Sequence, residues 1–170
     1  MSTNDSTPAV DPIPAIDPIK LRNAFGAFVT GVTIITGRDS EGKPVGMTAN
    51  SFSSVSLDPP LALWSVAKTA TAFDAFHQAA HFTIHVLHSG QEALSRQFAA
   101  KNTDKFADTV HELGVGDVPI LTDYAARFEC AVEHRYPGGD HIILVGRILA
   151  FDNRDKEPLV FYKGQYKSLA

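Results

Sequence analysis

The sequence of 170 residues contains only one cysteine, Cys130, and this scarcity excludes two kinds of site. A single cysteine forms no intrachain disulfide and no cysteine cage for a metal ion. Cys130 alternates with Phe128 and Val132 in an apolar segment. This pattern favours a buried packing thiol over a catalytic nucleophile.

Long apolar runs and an excess of basic residues are missing as well. No apolar stretch reaches the roughly 20 residues that cross a bilayer, and the proline-rich first 18 residues lack the apolar centre of a signal peptide. The formal net charge is −4, which argues against affinity for a nucleic acid backbone. We therefore expect a cytoplasmic protein that binds neither membrane nor nucleic acid.

Three motifs of catalysis and cofactor binding are also absent. The sequence has no glycine fingerprint of a Rossmann fold, no phosphate loop ending in Gly-Lys-Ser/Thr, and no Gly-x-Ser-x-Gly nucleophile elbow. His81, His85 and His88 suggest a metal site. On a strand that rises about 3.3 Å per residue, however, the first two lie roughly 13 Å apart, so one ion cannot bridge them.

The residues that are present predict an antiparallel β protein with peripheral helices. Residues 1–16 are predicted to form a flexible arm, and residues 17–170 a single domain. A first helix is capped by Asp17 and ends at Gly31, and two more cover residues 71–80 and, from a Ser89–Glu92 capping box, 89–98. Apolar alternation and turns predict strands at 32–36, 45–55, 61–66, 81–87 (half buried), 127–136 and 142–150. Short strands joined by turns favour an antiparallel barrel over a doubly wound parallel sheet.

Two segments point to a ligand. Small and hydroxyl residues fill the strand within residues 46–60, which is either an exposed edge or a surface with room for a flat molecule. Further on, Lys68 stands beside Thr69 and Thr71 just before a predicted helix. An ammonium group and free helix amides can hold a phosphate monoester there, although an ordinary helix cap with a solvated lysine explains the same residues.

Several strings, taken in order, resemble the flavin reductase family of two-component monooxygenases over residues 20–167. They are Thr-Gly-Val-Thr at 30–33, Met-Thr-Ala-Asn-Ser-Phe at 47–52, Ser-Val-Ser-Leu-Asp-Pro-Pro at 54–60, the Lys68 segment, Phe-Ala at 98–99, Asp-Lys-Phe at 104–106 and Gly-Asp-His at 139–141. The resemblance implies an antiparallel split β-barrel that forms homodimers. It also implies FMN or FAD as flavin, NADH or NADPH as reductant, and a separate monooxygenase or halogenase that receives the reduced flavin.

The resemblance further assigns residues to the flavin. Those expected at the isoalloxazine ring are Thr48, Ala49, Asn50 and Ser51, with Ser53 beside them. Those expected on the phosphate side are Ser65, Ala67, Lys68, Thr69 and Thr71. Those expected at a neighbouring flavin contact are Phe98, Ala99, Lys105 and Phe106.

The resemblance also assigns a nicotinamide site. His141 matches the histidine of the family's Gly-Asp-His turn, where the nicotinamide stacks over the flavin, and Tyr166 is a second candidate for that pocket. Hydride transfer between the two rings needs no acid or base at the reacting atoms, which agrees with the absence of a catalytic triad. Two alternatives remain: a flavin-binding electron carrier or sensor, and an oxidase like pyridoxamine phosphate oxidase, for which no basic phosphate pocket is found.

Overall fold

The computed structural model describes residues 14–101 and 103–169, and these form three α-helices and twelve β-strands. Most of the predicted arm therefore lies outside the described residues. The helices are α1 (Pro18–Phe25), α2 (Phe73–Gln78) and α3 (Glu92–Ala99). The strands are β1 (Thr30–Gly31), β2 (Thr33–Arg38), β3 (Pro44–Ala49), β4 (Ser53–Leu57), β5 (Pro60–Ala67), β6 (His81–Val86), β7 (His111–Leu113), β8 (Pro119–Leu121), β9 (Ala126–Gly138), β10 (His141–Asn153), β11 (Val160–Tyr162) and β12 (Gln165–Lys167). None of the described helices is long and apolar enough to span a membrane.

The main feature is an antiparallel sheet of seven strands in the order β3-β2-β6-β9-β10-β5-β4. Strands β3 and β4 follow each other in the chain, yet they lie at opposite edges of this sheet. Residues 50–52 cross from one edge to the other, so the sheet must curl until its edges approach. The predicted antiparallel, mainly β architecture with peripheral helices is confirmed, and the barrel is split between β3 and β5.

Aromatic side chains fill the interior of the barrel. Trp64 on β5 meets Phe76 of α2 edge-on at 4.9 Å between ring centroids, and Phe82 of β6 at 6.0 Å. Cys130 on β9 belongs to the same buried cluster. Burial raises the pKa of its thiol to about 12, so the sequence-based prediction of a packing cysteine is confirmed.

A second buried cluster lies where α3 covers the β2 and β3 side of the sheet. Phe98 of α3 is its central ring, and Gly46 of β3 lets that ring approach closely, since a Cβ at this position would lie 2.6 Å from the Phe98 ring. The short strands β11 and β12 pair with each other and, through β11, with β1, which brings Phe161 and Tyr166 against the cluster. The C-terminal segment is thereby joined to the helix that supports β3.

Strand β6 is buried on both faces, and the prediction of a half-buried strand is wrong. It lies between β2 and β9, and its residues 82–85 are all buried. His85 cross-links three elements, because its Nδ1 lies 3.2 Å from the Ile34 carbonyl oxygen and the Leu121 amide donates to its Nε2 at 3.1 Å. Burial lowers the pKa of His85 to about 3. Among the described residues no group of three or more His, Cys, Asp or Glu side chains could hold a metal ion.

Three predicted boundaries are also corrected. Helix α1 is capped by Asp17 as expected, but it ends at Gly26, because Gly31 is paired in β1. The predicted strand at 45–55 is broken at 50–52, where the chain changes edges. The capping box before α3 is formed by His88 and Gln91, not by Ser89 and Glu92, because a short 3-10 turn precedes the helix.

Candidate functional site

The crossing between β3 and β4 holds the barrel edges together through Ser51. Its hydroxyl accepts a hydrogen bond from the Ser65 amide at 2.9 Å and donates to the Ser65 carbonyl at 3.1 Å. Strand β4 pairs with β5 only from Pro60 to Leu63. Ser51 therefore takes the place of a strand partner for Ser65, and beyond it the edge of β5 is open on this side.

Within residues 14–101 and 103–169, the facing edge of β3 also has no strand partner. The Gly46 carbonyl points to this outer edge, where the Lys105 ammonium donates to it at 3.0 Å. Backbone direction alternates along a strand, so the backbone groups of Thr48 face the same open edge. The Thr48 hydroxyl is turned away, since it donates to the Ser95 carbonyl at 2.6 Å.

The opening between these two edges is lined by small side chains and by backbone. Thr48, Ala49 and Ser51 are partly buried along it, and Asn50 is exposed at its rim. On β5, the Ala67 amide lies two residues beyond that of Ser65 and so points to the same side, away from β10. Free backbone donors and acceptors beside small residues suit a flat heterocycle with a polar edge.

The phosphate-side segment is attached to the β9–β10 hairpin. The Lys68 amide donates to the Asp140 carbonyl at 2.9 Å, and its ammonium donates to the Gly139 carbonyl at 2.7 Å. His141 lies opposite Ala67 in the β10–β5 register. The structure therefore brings Lys68 and His141, which are 73 positions apart in the sequence, to one end of the same strand pair.

His141 is held by its neighbour Asp140. The His141 Nδ1 lies 2.7 Å from the Asp140 carboxylate, and this hydrogen bond lowers the pKa of Asp140. With Nδ1 held by the carboxylate, the Nε2 of the ring is the nitrogen that faces other partners. The imidazole is part-exposed, so it is accessible to a ligand.

Thr69 and Thr71 follow Lys68 and are exposed. Helix α2 has six residues, and its N-cap, Ala72, makes no side-chain capping bond. Neither threonine therefore caps α2, although Lys68 is exposed as the alternative explanation expects.

The predicted contact at Phe98 requires a correction. The Phe98 side chain is completely buried in the second cluster, so it supports β3 from beneath and has no surface for a ligand. Phe106 packs edge-on against it at 5.2 Å, whereas Ala99 is exposed at the end of α3. Lys105 also donates to the Phe98 carbonyl at 2.8 Å, and partial burial lowers its pKa.

A cavity of about 330 Å³ adjoins this segment. It brings together Thr71 from the phosphate side and Lys105 and Phe106 from the loop after α3. Its wall on the β3 side includes Asp39, Lys43 and Gly46. Thus three of the predicted flavin residues, drawn from two separate segments of the chain, share one hollow beside the open edge of β3.

Comparison with known proteins identifies the family. The profile of the flavin reductase like domain matches residues 25–170. This chain belongs to the flavin reductase family. The FMN reductase (NADH) SmoA of Agrobacterium fabrum is 48% identical over 145 residues, which are 85% of this chain and 82% of that protein. A probable flavin reductase of Rhizobium meliloti is 46% identical over 150 residues, 88% of this chain but only 48% of that protein, so the chain spans about half of that relative.

Solved structures of flavin reductases have the same fold. The NADH:FAD oxidoreductase SgcE6 of Streptomyces globisporus C-1027, solved in complex with NAD and FAD fragments, superimposes with a TM-score of 0.84 at 37% identity, covering 93% of this chain and 98% of that one. A putative oxidoreductase from Sinorhizobium meliloti gives a TM-score of 0.88 at 45% identity, covering 91% of this chain and 54% of that one.

Two predicted site residues, Tyr166 and Ser53, make contacts away from their expected places. Tyr166 on β12 hydrogen bonds to the Ser95 hydroxyl at 2.8 Å, and the Arg96 guanidinium lies 4.9 Å above its ring, so within one chain its contacts are with α3. The exposed Ser53 donates only to the carbonyl of Ser54. The assignment of Tyr166 to a pocket shared with His141 is therefore not supported within one chain.

Ser95 is a residue that sequence reasoning missed. It is completely buried on α3, its carbonyl accepts from Thr48, and its hydroxyl bonds to Tyr166. A serine in a helix gives no sequence signal of such a role. Its one distinguishing feature in the sequence is that Ser95 is a polar residue on the apolar face of α3, one turn before Phe98.

Proposed function

We propose that this chain is an NADH-dependent flavin reductase that reduces FMN or FAD and passes the reduced flavin to a separate flavin-dependent monooxygenase or halogenase. The observation that carries the proposal is the open gap between β3 and β5, lined by small residues and free backbone, with the His141 turn attached at one end. In this arrangement one flat ring would bind in the gap, and a second ring would lie beside it.

The names of related proteins support each part of this proposal. SmoA is an FMN reductase (NADH), and HsaB of Rhodococcus jostii, 40% identical, is the reductase subunit of a flavin-dependent monooxygenase. BorF, 35% identical with a TM-score of 0.82, is the flavin reductase component of a two-component tryptophan halogenase. NADH is favoured over NADPH because the names that specify a reductant specify NADH.

The residues of the gap fit a flavin. Thr48, Ala49 and Ser51 would line the ring, with the backbone at Thr48 and Ala67 available to its polar edge, and Asn50 would close the rim. Lys68, with Thr69, would hold the phosphate at the exposed end of β5. A bound flavin supplies the redox chemistry, and these residues bind and orient it. No charged side chain is needed at the reacting atoms for hydride transfer between the two rings.

His141 would position the nicotinamide. Asp140 holds the imidazole at 2.7 Å, so the ring has a defined orientation before a ligand binds. Hydride transfer depends strongly on the alignment of the two rings, so one fixed contact at this turn contributes to the rate without any proton transfer.

A homodimer that works in the cytoplasm, where reduced nicotinamides are produced, is part of the proposal. Large apolar side chains that are mostly exposed support an association of copies: Phe25, Phe28, Leu57 and Phe151 are 70%, 77%, 96% and 71% exposed. Apolar side chains that lie together in one exposed patch commonly mark a protein interface, and we expect these side chains to be covered in the dimer. Sedimentation equilibrium should give twice the chain mass, and a monomer at micromolar concentration would contradict this part.

The test of the activity is steady-state oxidation of NADH with FMN, FAD and riboflavin each supplied free. We expect no oxidation without flavin and saturable oxidation with FMN or FAD, and NADPH serves as the comparison reductant. Binding of flavin without any oxidation of NADH or NADPH by the folded protein would overturn the proposal and favour the electron carrier or sensor.

A further inference from the structure

We infer that Lys68 couples the two ligand sites, so that a flavin carrying a phosphate tightens the binding of the nicotinamide more than a flavin without one. The inference rests on the proposed function and adds a role that a phosphate-binding lysine alone would not have. Lys68 is then a specificity-determining residue, because a phosphate bound to it changes how firmly the His141 turn is held.

The first step is the attachment of Lys68 to that turn. Two of its groups bind consecutive carbonyls, the ammonium that of Gly139 at 2.7 Å and the amide that of Asp140 at 2.9 Å. Gly139 has a φ of +70°, so it is the tight point of the turn that leads into β10. Asp140, in turn, holds the His141 imidazole through its carboxylate.

The second step is the unused donor capacity of the ammonium. A lysine ammonium has three hydrogens, and one of them is directed to Gly139. The side chain is exposed, and Thr69 beside it is exposed as well. The remaining hydrogens are therefore available to a phosphate without release of the Gly139 carbonyl.

The third step is the effect of a phosphate on the turn. An exposed lysine with one carbonyl partner samples several rotamers, and each departure from Gly139 removes one of the two bonds that hold the turn, leaving only the backbone bond to Asp140. A phosphate bound to the same ammonium restricts those rotamers through a charge-assisted hydrogen bond and so keeps the lysine on Gly139. The turn and its His141 are then already ordered when the nicotinamide arrives, which lowers the entropic cost of binding it.

FMN and riboflavin differ only by the phosphate. Each flavin is tested with the wild type and with Lys68→Ala, so the four combinations form a double-mutant cycle in which one change is the phosphate and the other is the lysine side chain. The measurement is the Kd of NAD⁺ by calorimetry at saturating FMN and at saturating riboflavin, with the KM for NADH as the kinetic counterpart. Saturation removes the direct effect of Lys68 on flavin affinity. We expect NAD⁺ to bind about fivefold more tightly beside FMN in the wild type, at the low end of measured couplings. In Lys68→Ala the two Kd values should agree within about twofold.

Three controls sharpen the result. Lys68→Arg keeps a cation with several donors and should retain most of the difference. Lys20→Ala removes an exposed lysine on α1, outside both sites, and should behave as the wild type. Reciprocity requires that NAD⁺ tighten FMN more than riboflavin by the same factor.

The outcomes separate the two proposals. Equal Kd values for NAD⁺ beside FMN and riboflavin in the wild type, or an FMN preference that persists in Lys68→Ala, would overturn the coupling even if NADH oxidation is normal. Failure of the wild type to oxidise NADH with any flavin would overturn the proposed function itself.

Discussion

Two histidines in this protein show how differently its closed and open regions use the same side chain. His85 lies in β6 between two strands, is completely buried, and has both ring nitrogens committed to backbone groups. His141 lies at the open end of β10, is part-exposed, and has one nitrogen held by Asp140.

The hydroxyl residues follow the same division. Thr36 in the closed region is completely buried and donates to the Pro119 carbonyl, which joins β2 to β8. Ser51 in the open region substitutes for a missing strand at Ser65. Polar groups in the closed region therefore contribute to stability. Those in the open region stabilise a strand edge that protein does not cover, so that this edge can bind a ligand.

The largest expected effect is the loss of stability in His85→Ala. The substitution leaves a cavity and removes the partners of a buried carbonyl and a buried amide, so the free energy of unfolding should fall by about 3–5 kcal/mol. Urea denaturation measures this change. The matched variant His141→Ala should change it by less than about 0.5 kcal/mol. Comparable losses in both variants would contradict the division between the two regions.

The second effect is a dependence of stability on pH that originates at His85. Its pKa is about 3 in the folded protein against 6.5 ordinarily, so between these values the unfolded chain binds a proton that the folded chain does not. The part of the free energy of unfolding that depends on His85 is therefore fully present above about pH 6.5. It declines as the pH falls, by about 1.4 kcal/mol per pH unit, so about 2 kcal/mol is lost at pH 5.

His85→Gln, which keeps one donor and one acceptor, is the control for this dependence. Its free energy of unfolding should decline less steeply between pH 6.5 and 5 than that of the wild type. Parallel declines would assign the pH dependence to other groups.

The third effect concerns the rate, not the fold. His141→Ala should slow the reduction of pre-bound flavin by about tenfold or raise the KM for NADH, while flavin affinity stays nearly unchanged, because the residue lies at the turn and not along the gap. Stopped-flow absorbance at several NADH concentrations separates the two possibilities. A wild-type rate at every concentration would leave the nicotinamide to be positioned by other groups.

The smallest effect is expected for Ser51→Ala. Removal of the hydroxyl leaves the Ser65 amide and carbonyl to water, at a cost of about 1 kcal/mol in the free energy of unfolding. Flavin affinity should weaken as well, since the two edges are no longer held at a fixed distance. Ser54→Ala, at an exposed position of β4, should change neither quantity appreciably. Equal flavin affinity in both variants would show that the gap does not depend on this bridge.

Local sequence was sufficient for the long hairpin and for the identity of the family. The alternation from Arg127 onward and the Pro-Gly-Gly-Asp turn predict β9 and β10, because side-chain direction and turn preference act over a few residues. The strings at 47–52 and 54–60 were specific enough to indicate a flavin reductase. The same reasoning keeps His81 and His85 too far apart along one strand for a single ion to bridge them.

Tertiary structure alone decided which residues meet. The break at 50–52 exists because β3 and β4 end on opposite edges of the sheet, and no local propensity encodes an edge. Burial of β6 on both faces depends on distant elements, because Phe82 and Ile84 join the barrel core while β8 covers His85 on the other face, so its alternating pattern was misleading. Phe98 became a core residue and Ser95 a link between Thr48 and Tyr166 for the same reason. Contacts between residues distant in the sequence depend on how the sheet curls, and that is set by all of its strands together.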